Sequence, residues 1–549
     1  MDNSYGNNLF SISSKSLKLM KQRILFVISV FLILFLILIF RLTQVMVFNK
    51  REKSHVLDSV FPLISRADIL DRRGVIIATS LPTVSLYACP HEILNAKESA
   101  EKIASVLKDL NKADIEKKLS SQKKFLWIKR HLSPLQEQEV LNQGIPGMHF
   151  LRTEKRVYPD SNLVSHAAGS TDIDNIGISG IEKVFDDSLR ESPEPIYLSI
   201  DVKVQHAVRD ELQKGIDEFS AIGGAAIVMK ISTGEIISMV SLPDFDPNIN
   251  SDPNAKEHFN MVTSSAIEPG SSAKIFNTTM AFESGQITPF TQFDARAPLK
   301  VGRFVIHDFK GKKTFLSVEE ILKYSSNIGS ARIALSVGAA AQKEFFKKIG
   351  LLDVISCELL ETQRPLYPRH WTDISSMTIS YGHGIAFSPL HIITVVSGIL
   401  NNGFFNNPTL LKRKNAPQVR RIISQKTSDL IKALMRINVT EGTNKFADVP
   451  GYCVGGKSGT AEKQRHGQYL KESNYTGFVG AFPMTNPQYS IYLVLDDPKI
   501  TPKTYGYRTA GWNATPVAAR IIKRIGSMLE VPASSDPEPD WKNIIRRSI

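Results

Sequence analysis

Residues 24–40 are the feature that most restricts how this chain can fold, because they contain no charged side chain and only one hydroxyl group. As a helix they would extend about 26 Å at about 1.5 Å per residue, near the shorter limit for crossing a bilayer. Their apolar side chains would cover every face of that helix, whereas a helix on a soluble core keeps a polar side. The stretch predicts one membrane-spanning helix over residues 24–42, with a buried core helix as the alternative.

The residues on either side of this stretch predict its orientation and its fate. Four basic side chains precede it: Lys15, Lys18, Lys21 and Arg23. By the positive-inside rule, residues 1–23 should form a cytoplasmic tail. A cleaved signal peptide is the alternative, but residues 41–46 lack the small residues of a cleavage site. We expect an uncleaved anchor, with the rest of the chain outside the cytoplasm and away from ATP.

Composition excludes several classes of protein. The chain has 549 residues, of which 42% are hydrophobic and 22% charged, so it is neither wholly disordered, nor collagenous, nor a polytopic membrane protein. Its net charge of +13 is compatible with an acidic partner, but no run of like charges indicates a nucleic-acid-binding arm. The three cysteines, Cys89, Cys357 and Cys453, lie far apart and predict neither a CxxC zinc site nor a disulfide framework.

The part of the chain before Pro195 reads as an irregular module. Residues 66–80 predict a strand, a turn and a second strand, and residues 96–141 carry a charged, helix-like pattern. Residues 156–185 are rich in turn-forming side chains. We expect a loop-rich mixture of helices and strands here.

After Pro195 the pattern changes to that of an α+β domain. Asp201 can cap a helix, and residues 225–231 and 235–240 predict a hairpin. Helical patterns dominate from residue 271 to about 436, and strand patterns return in two later runs, at residues 475–481 and 489–495. Strands at both ends with helices between them predict one sheet that both ends of the domain complete. Residues 532–539 read as a linker that opens a C-terminal tail.

Residues 451–458 fit the P-loop expression G-x-x-x-x-G-K-[ST], but their surroundings do not. A P-loop lies between a buried strand and a helix whose N–H groups hold phosphate. Here residues 444–450 are not apolar, and residues 461–467 show no apolar helical face. The segment is also expected outside the cytoplasm, so a nucleotide site is disfavoured.

A second set of short motifs points to a serine nucleophile. Ser271 and Lys274 form an S-x-x-K motif directly after the turn Glu268-Pro269-Gly270, at the predicted start of a helix. The two side chains would share one helix face, and a lysine with a lowered pKa can take the proton of a serine hydroxyl. On local evidence alone Ser271 could equally be a helix cap.

Two further motifs follow in order. Ser325 and Asn327 form S-x-N, and Lys457, Ser458 and Gly459 form K-S-G. Each motif alone is weak, since the first is typical of turns and the second of surface lysines. The ordered set S-x-x-K, S-x-N, K-[ST]-G is that of penicillin-binding proteins and serine β-lactamases.

With these motifs and their long flanking segments, the chain resembles the class B penicillin-binding proteins, and among them the cell-division D,D-transpeptidases. The matching segments include RADILDRRGVIIATS, GEIISMVSLPDFDPN, IEPGSSAK, YSSN, SYGHGIAFSPL and VPGYCVGGKSGTAEK. The resemblance implies an α+β fold with a single transmembrane helix, an elongated irregular α/β pedestal over residues 43–194 and a transpeptidase domain over residues 195–531. That domain would be serine β-lactamase-like, with an antiparallel sheet flanked by helices, and residues 532–549 would form the tail.

The resemblance also implies the role of each motif residue. Ser271 would attack the carbonyl between the last two D-alanines of a stem peptide, with Lys274 as base and Ser325 relaying protons. Asn327 would hold the substrate amide, and Lys457 would supply positive potential and orient Ser325. The hydroxyls of Ser458 and Thr460 would bind the terminal carboxylate, with Gly459 between them in the same substrate-binding motif. The backbone N–H groups of Ser271 and Thr460 would form the oxyanion hole. Lys-Ser-Gly replaces the common Lys-Thr-Gly and keeps a hydroxyl, and Ala273 stands where a bulkier residue is frequent.

By the same resemblance, the chain needs no cofactor or metal and acts in the inner membrane, with its catalytic domain in the periplasm. Its partners would be peptidoglycan stem peptides, β-lactams, an FtsW-type glycan polymerase and other division proteins, with no nucleic acid. Three alternatives stay open: an elongation-type class B transpeptidase, a membrane-bound β-lactamase or β-lactam sensor, and a non-catalytic division scaffold.

Overall fold

A computed structural model describes residues 14–43, 65–249, 252–302, 304–465 and 468–547. The chain divides into two compact units, Met1–Leu63 and Ile64–Ile549. The first contains helix α1 (Ser14–Thr43). Its segment Lys21–Arg41 is long and apolar enough to cross a membrane, and all of its side chains are exposed. These properties fit the predicted anchor.

The second unit begins with a sheet that sequence patterns predicted only in part. Its strands are β1 (Ile69–Leu70), β2 (Ile76–Ala88), β3 (Leu126–Leu132), β4 (Met148–Val157) and β5 (Ile196–Tyr197). The predicted turn near Gly74 joins β1 to β2, as expected. Strand β2 is long enough to pair with β1, β3 and β4, and β5 adds in parallel to β1.

The helices of this region are short: α2 (Ala96–Val106), α3 (Lys112–Leu119), α4 (Pro134–Asn142), α5 (Ser165–Ala168), α6 (Gly180–Val184) and α7 (Asp186–Glu191). The continuous helix-like pattern predicted over residues 96–141 was wrong where β3 interrupts it. Residues 126–132 carry bulky apolar side chains whose burial comes from pairing with β2. Only that non-local pairing decides for a strand.

The following domain is built around a five-stranded antiparallel sheet. Its order is β14-β15-β16-β6-β7, with β6 (Gly223–Lys230), β7 (Ile236–Leu242), β14 (Gly455–Arg465), β15 (Gln468–Phe482) and β16 (Tyr489–Asp496). Both ends of the domain contribute strands, which confirms the predicted α+β class. Strand β14 was not predicted, because its glycines and polar residues have no strand-like pattern.

Helices cover both faces of this sheet. One face carries α8 (Val202–Glu218) and α17 (Ala514–Met528), and Asp201 caps α8 as predicted, accepting from Lys203 N and Val204 N. Successive strand residues point to opposite faces. Ala226 and Val228 therefore pack with α8 and α17, while Ala225 and Ile227 pack in the core on the other face.

The other helices and strands of this domain, apart from one helix near the C-terminus, lie between β7 and β14. The helices are α9 (Met261–Ser264), α10 (Ala273–Glu283), α11 (Val318–Tyr324), α12 (Asn327–Val337), α13 (Ala339–Lys348), α14 (Asp373–Ser380), α15 (Pro389–Leu400) and α16 (Gln425–Thr440). Short strand pairs join them: β8 (Gln292–Asp294) with β11 (Phe315–Ser317), β9 (Leu299–Val301) with β10 (Phe304–Ile306), and β12 (Phe404–Phe405) with β13 (Arg420–Arg421). The chain ends in α18 (Trp541–Arg547), which packs on α16.

Candidate active site

Ser271 lies on a tight turn at the start of α10. Residues Gly270–Ser272 form a single 3-10 turn that leads into the helix at Ala273. Gly270 has φ +52°, and a Cβ there would lie 2.4 Å from the carbonyl oxygen of Thr460. Because only glycine permits both the conformation and this approach, the turn brings Ser271 against strand β14.

Lys274 follows one helical turn later and is almost completely buried, with 1% of its surface exposed. Its Nζ lies 2.7 Å from Ser271 Oγ, 2.7 Å from Asn327 Oδ1 and 3.4 Å from Ser325 Oγ. Burial lowers the pKa of Lys274 well below its usual value, and repulsion by Lys457 lowers it further. A lysine in this setting can hold a neutral amine that accepts the serine proton.

Ser325 and Asn327 reach the lysine because the chain turns sharply between α11 and α12. Ser325 adopts a left-handed conformation with φ 59° and ends α11. Its Oγ lies 3.0 Å from Ser271 Oγ. Asn327 opens α12 and donates through Nδ2 to the carbonyl of His307 at 3.1 Å. Its amide oxygen is thereby directed toward Lys274.

Asp308 holds this turn, although sequence patterns gave no signal for it. Its carboxylate accepts from Asn327 N at 2.6 Å, from Ile328 N at 3.0 Å and from Ser326 Oγ at 2.7 Å. The negative charge of Asp308 also raises the pKa of Lys274, against the larger effects of burial and Lys457. Because Asp308 arrives from a loop before β11, a prediction from local spacing could not have found it.

Lys457 lies on β14 beside the serine turn and is 1% exposed. Its Nζ donates to the carbonyl of Ser458 at 3.2 Å, and burial lowers its pKa to about 7. At Gly459 an added Cβ would lie 2.2 Å from the carbonyl oxygen of Pro269. Thr460 Oγ1 accepts from Ala510 N at 3.0 Å, which ties β14 to the segment before α17.

A further group of side chains surrounds the serine turn and was not assigned a role from the sequence. Glu268 accepts from Gly384 N at 2.9 Å, from Gln464 Nε2 at 2.8 Å and from Tyr469 Oη at 3.1 Å. Burial raises the pKa of Glu268. Burial also lowers the pKa of His383 to about 4, with repulsion by Lys274 as the second cause. His383 is therefore neutral at pH 7.

All eight predicted site residues lie on three elements that meet at one place. They come from the serine turn, the turn between α11 and α12, and strand β14: Ser271, Lys274, Ser325, Asn327, Lys457, Ser458, Gly459 and Thr460. The P-loop alternative fails, because residues 455–465 form a strand where that motif needs a helix. A serine hydroxyl beside a buried lysine amine is an arrangement for acyl transfer through a covalent intermediate.

The sequence matches two families of known proteins. Residues 224–523 match the penicillin binding protein transpeptidase domain, and residues 64–213 match the penicillin-binding protein dimerisation domain. The chain is 34% identical over 487 residues to the probable peptidoglycan D,D-transpeptidase FtsI of Caulobacter vibrioides, with 86% of this chain and 82% of the relative covered. It is 30% identical over 468 residues to the probable peptidoglycan D,D-transpeptidase PenA of Neisseria meningitidis, covering 79% and 80%.

Solved structures show a similar fold. The crystal structure of penicillin binding protein 3 from Mycobacterium tuberculosis, complexed with aztreonam, gives a TM-score of 0.68 at 21% sequence identity. The similarity covers 86% of this chain and 97% of that one. At 21% identity this similarity is evidence for the fold alone. Because it covers 86% of this chain, it includes residues before the five-stranded antiparallel sheet as well as the sheet itself.

Proposed function

Since this chain belongs to the penicillin-binding proteins that carry a dimerisation domain before a transpeptidase domain, we propose that it is a septal peptidoglycan D,D-transpeptidase. The observation that carries the proposal is the buried Lys274 amine, 2.7 Å from the hydroxyl of Ser271. The relatives from Caulobacter vibrioides and Escherichia coli are both named as peptidoglycan D,D-transpeptidases FtsI. The same name supports the division role over an elongation role.

In the first half of the reaction, Ser271 becomes acylated. Neutral Lys274 takes the hydroxyl proton as Ser271 Oγ attacks the carbonyl carbon between the two terminal D-alanines of a stem peptide. The backbone N–H groups of Ser271 and Thr460 stabilise the oxyanion, where one donor can be worth about 10²–10³ in rate. The proton then passes through Ser325 to the departing amine. The peptide bond between the two D-alanines breaks, and the terminal D-alanine leaves.

In the second half, an amine from a neighbouring strand attacks the acyl-enzyme and the same groups work in reverse. Lys274 and Ser325 take a proton from that amine. They return a proton to Ser271 Oγ as the bond between this oxygen and the acyl group breaks. Asn327 holds the substrate amide. During the first half, Ser458, Gly459 and Thr460 bind the terminal carboxylate of the donor peptide, to which Lys457 adds positive potential, and this carboxylate departs with D-alanine. A β-lactam acylates Ser271 by the same first half, because its strained amide takes the place of the D-alanyl peptide bond.

The anchor and the charges before it support an inner-membrane location. Helix α1 would span the membrane once, with residues 1–23 in the cytoplasm and the catalytic domain in the periplasm, where peptidoglycan is assembled. An FtsW-type glycan polymerase would act with this chain and supply the uncross-linked strands, with contacts at the anchor and near residues 66–80.

The test is the intact mass of the full chain in detergent after exposure to a fluorescent penicillin, with Ser271→Ala as control. We expect one adduct per chain, stable for many minutes and absent from the variant. Rapid loss of the adduct with hydrolysis of the drug would indicate a β-lactamase instead. A folded chain that forms no adduct would leave only the scaffold alternative.

A further inference from the structure

Three side chains with metal-binding atoms lie together on the dimerisation region: Cys89, Glu92 and His149. The Cys89 sulfur, a Glu92 carboxylate oxygen and a ring nitrogen of His149 all lie within 4.8 Å of one another. The first two residues follow strand β2, and the third lies on strand β4. None of the three belongs to the serine site.

The pairing of β2 with β4 places two of these side chains on one face. Tyr87 on β2 lies directly opposite His149 on β4. Because side chains alternate along a strand, Cys89 shares the face of Tyr87 and therefore that of His149. The backbone continues this alignment past the strand end, since Cys89 N donates to the carbonyl of Gly147 at 2.8 Å.

The third side chain is fixed by a close backbone contact. Glu92 ends the 3-10 turn Pro90–Glu92, and its Cβ would lie 2.9 Å from a Cβ added at Gly147, which has φ +75°. The absence of a side chain at Gly147 lets the turn press against the start of β4. Glu92 Oε2 then lies 2.7 Å from His149 Nε2. Both side chains are about two-fifths exposed, so an ion can enter from solvent.

We propose that Cys89, Glu92 and His149 bind one zinc-like divalent cation, with water as the fourth ligand. Thiolate, imidazole and carboxylate are the ligand set that zinc takes in proteins. Ligand atoms at about 2.0–2.3 Å from a tetrahedral ion are about 3.3–3.7 Å apart. These separations are below the 4.8 Å within which the three ligand atoms lie here. Binding replaces the hydrogen bond between Glu92 and His149 with two metal bonds, and it links β2 to β4 beyond their last paired residues.

The test is a Co²⁺ titration of the untagged full chain in detergent, followed by absorption. We expect thiolate-to-cobalt charge transfer that saturates at one equivalent, with tetrahedral d–d bands that Zn²⁺ abolishes by competition. Cys89→Ser should remove the charge transfer, and His149→Gln and Glu92→Gln should weaken binding at least tenfold. Cys357→Ser is the matched control, because it removes another partly exposed thiol without touching the cluster.

Two results would overturn this site. One is charge transfer that persists in Cys89→Ser, because the thiolate would then come from elsewhere. The other is a wild-type chain that gives no saturable band, which would leave Glu92 and His149 as an ordinary ion pair beside an uninvolved thiol. Neither result bears on acylation of Ser271.

A second, independent set of contacts connects the C-terminus of the chain to the catalytic motifs. Helix α18 packs on α16, and its Ile545 is completely buried in the main core. Arg436 of α16 donates through Nε to Glu538 at 2.7 Å and through Nη1 to the carbonyl of Val454 at 2.8 Å. Val454 directly precedes β14, which carries Lys457.

The same helix reaches the turn that carries Ser325. Glu441, directly after α16, accepts from Lys542 Nζ of α18 at 2.8 Å and from Lys323 Nζ of α11 at 2.5 Å. Lys323 is two residues before Ser325. Arg436 and Glu441 therefore each link the C-terminal segment to an element that carries a catalytic motif.

We infer that residues 532–547 form a positioning element for acylation, an inference that rests on the proposed function. The segment holds α16 through Glu538 and Lys542, and α16 sets the distance of β14 and of Ser325 from Ser271. A displacement of about 1 Å in such a site can cost about 10² in rate.

The experiment separates reversible binding of a penicillin from acylation in full chains that carry Glu538→Ala. We expect the acylation rate constant to fall about tenfold while the dissociation constant changes little. Glu538→Gln, which keeps one acceptor oxygen, should retain more activity. Asp536→Ala in the same exposed segment is the control. A Glu538→Ala chain with a lower melting temperature but normal acylation would overturn the inference, whereas an unreactive wild-type chain would overturn the proposed function.

Discussion

At the scale of single residues, two buried lysines determine how the site works. Lys274 and Lys457 are each 1% exposed, and repulsion from the second lowers the pKa of the first. Burial alone lowers the pKa of Lys457 to about 7. Two adjacent buried ammonium groups cannot both stay charged at low cost. The pair is therefore arranged so that one lysine is a base and the other a cation, and its titration belongs to both.

This pairing predicts the pH dependence of acylation. Acylation needs neutral Lys274, so the rate should fall as pH drops through the lowered pKa of that amine. It also needs charged Lys457, so the rate should fall again as pH rises above about 7. Lys457→Met removes the neighbouring cation, so the rate should be low at every pH. The same change raises the pKa of Lys274, which moves the acid limb of the residual rate to higher pH. The measurement is acylation rate against pH.

Lys457→Arg is the matched variant, because it keeps the positive charge but does not titrate in this range. Its acid limb should stay where the wild-type limb lies, and its alkaline limb should move to higher pH. If the acid limbs of Lys457→Met and Lys457→Arg lie at the same pH, the pKa of Lys274 does not depend on the charge at position 457.

Asp308 affects the pKa of Lys274 in the direction opposite to Lys457. Its charge raises the pKa of Lys274, so Asp308→Asn should lower that pKa and move the acid limb of acylation to lower pH. The variant also weakens the bonds from Asn327 N and Ile328 N. Each bond to a charged group is worth about 1.5–3 kcal/mol, so the melting temperature should fall as well. Asp294→Asn, in a partly exposed pair with Arg296, is the control: it should leave the acid limb in place and lower the melting temperature less than Asp308→Asn does.

At the scale of elements, the close approach of β14 to the serine turn decides whether the motifs meet. Gly459→Ala places a methyl group 2.2 Å from the carbonyl oxygen of Pro269, a backbone atom that cannot turn aside. We expect β14 to move away from the turn and the acylation rate to fall about 10²-fold. The measurement is the rate constant for penicillin acylation, with folding checked by circular dichroism.

A glycine with more room provides the control for this prediction. At Gly511 an added methyl would come no closer than 3.2 Å to the carbonyl oxygen of Thr443. Gly511→Ala should therefore acylate within about twofold of wild type, because its methyl group needs only a few tenths of an ångström of adjustment. Equal losses in both variants would mean that the contact at Pro269 is not the cause.

At the scale of the whole molecule, a buried ionic cluster joins distant parts of the dimerisation region. Glu182 is completely buried and accepts from Arg66 Nε and Arg156 Nε, both at 2.7 Å, and from Tyr158 Oη at 3.2 Å. Asp186 adds a second carboxylate to Arg66 at 2.7 Å. The two arginines and two carboxylates balance, so the cluster is neutral as a unit.

Removing one charge from this cluster should destabilise the entire second unit. Glu182→Gln leaves a buried positive charge uncompensated, which costs about 3–5 kcal/mol. We expect a lower unfolding midpoint in denaturant, with acylation of the folded fraction unchanged. Asp109→Asn breaks an exposed pair with Lys129 and should cost no more than about 1 kcal/mol. Similar midpoints for the two variants would contradict a structural role for Glu182.

Residue patterns alone predicted the elements whose signals are local. The anchor, the cap at Asp201, the hairpin of β6 and β7 and each of the three short motifs rest on residues close together in the chain. Apolar periodicity and turn-forming residues encode such features directly. The identity of the serine nucleophile and its partners followed from motif order and from resemblance to a family, not from any visible geometry.

Features that depend on contacts between distant residues became visible only in the folded chain. Strand β3 became a strand by pairing with β2, and β14 by pairing with β15, although neither has a clear strand pattern. Asp308 joined the site from a loop whose spacing gave no signal, and Glu268, three residues before Ser271, has hydrogen-bond partners that are distant in the chain. The lowered pKa of Lys274 comes from burial and a neighbouring cation, which exist only after the sheet and its helices have packed. Local sequence encodes conformation, whereas electrostatic environment is a property of the assembled fold.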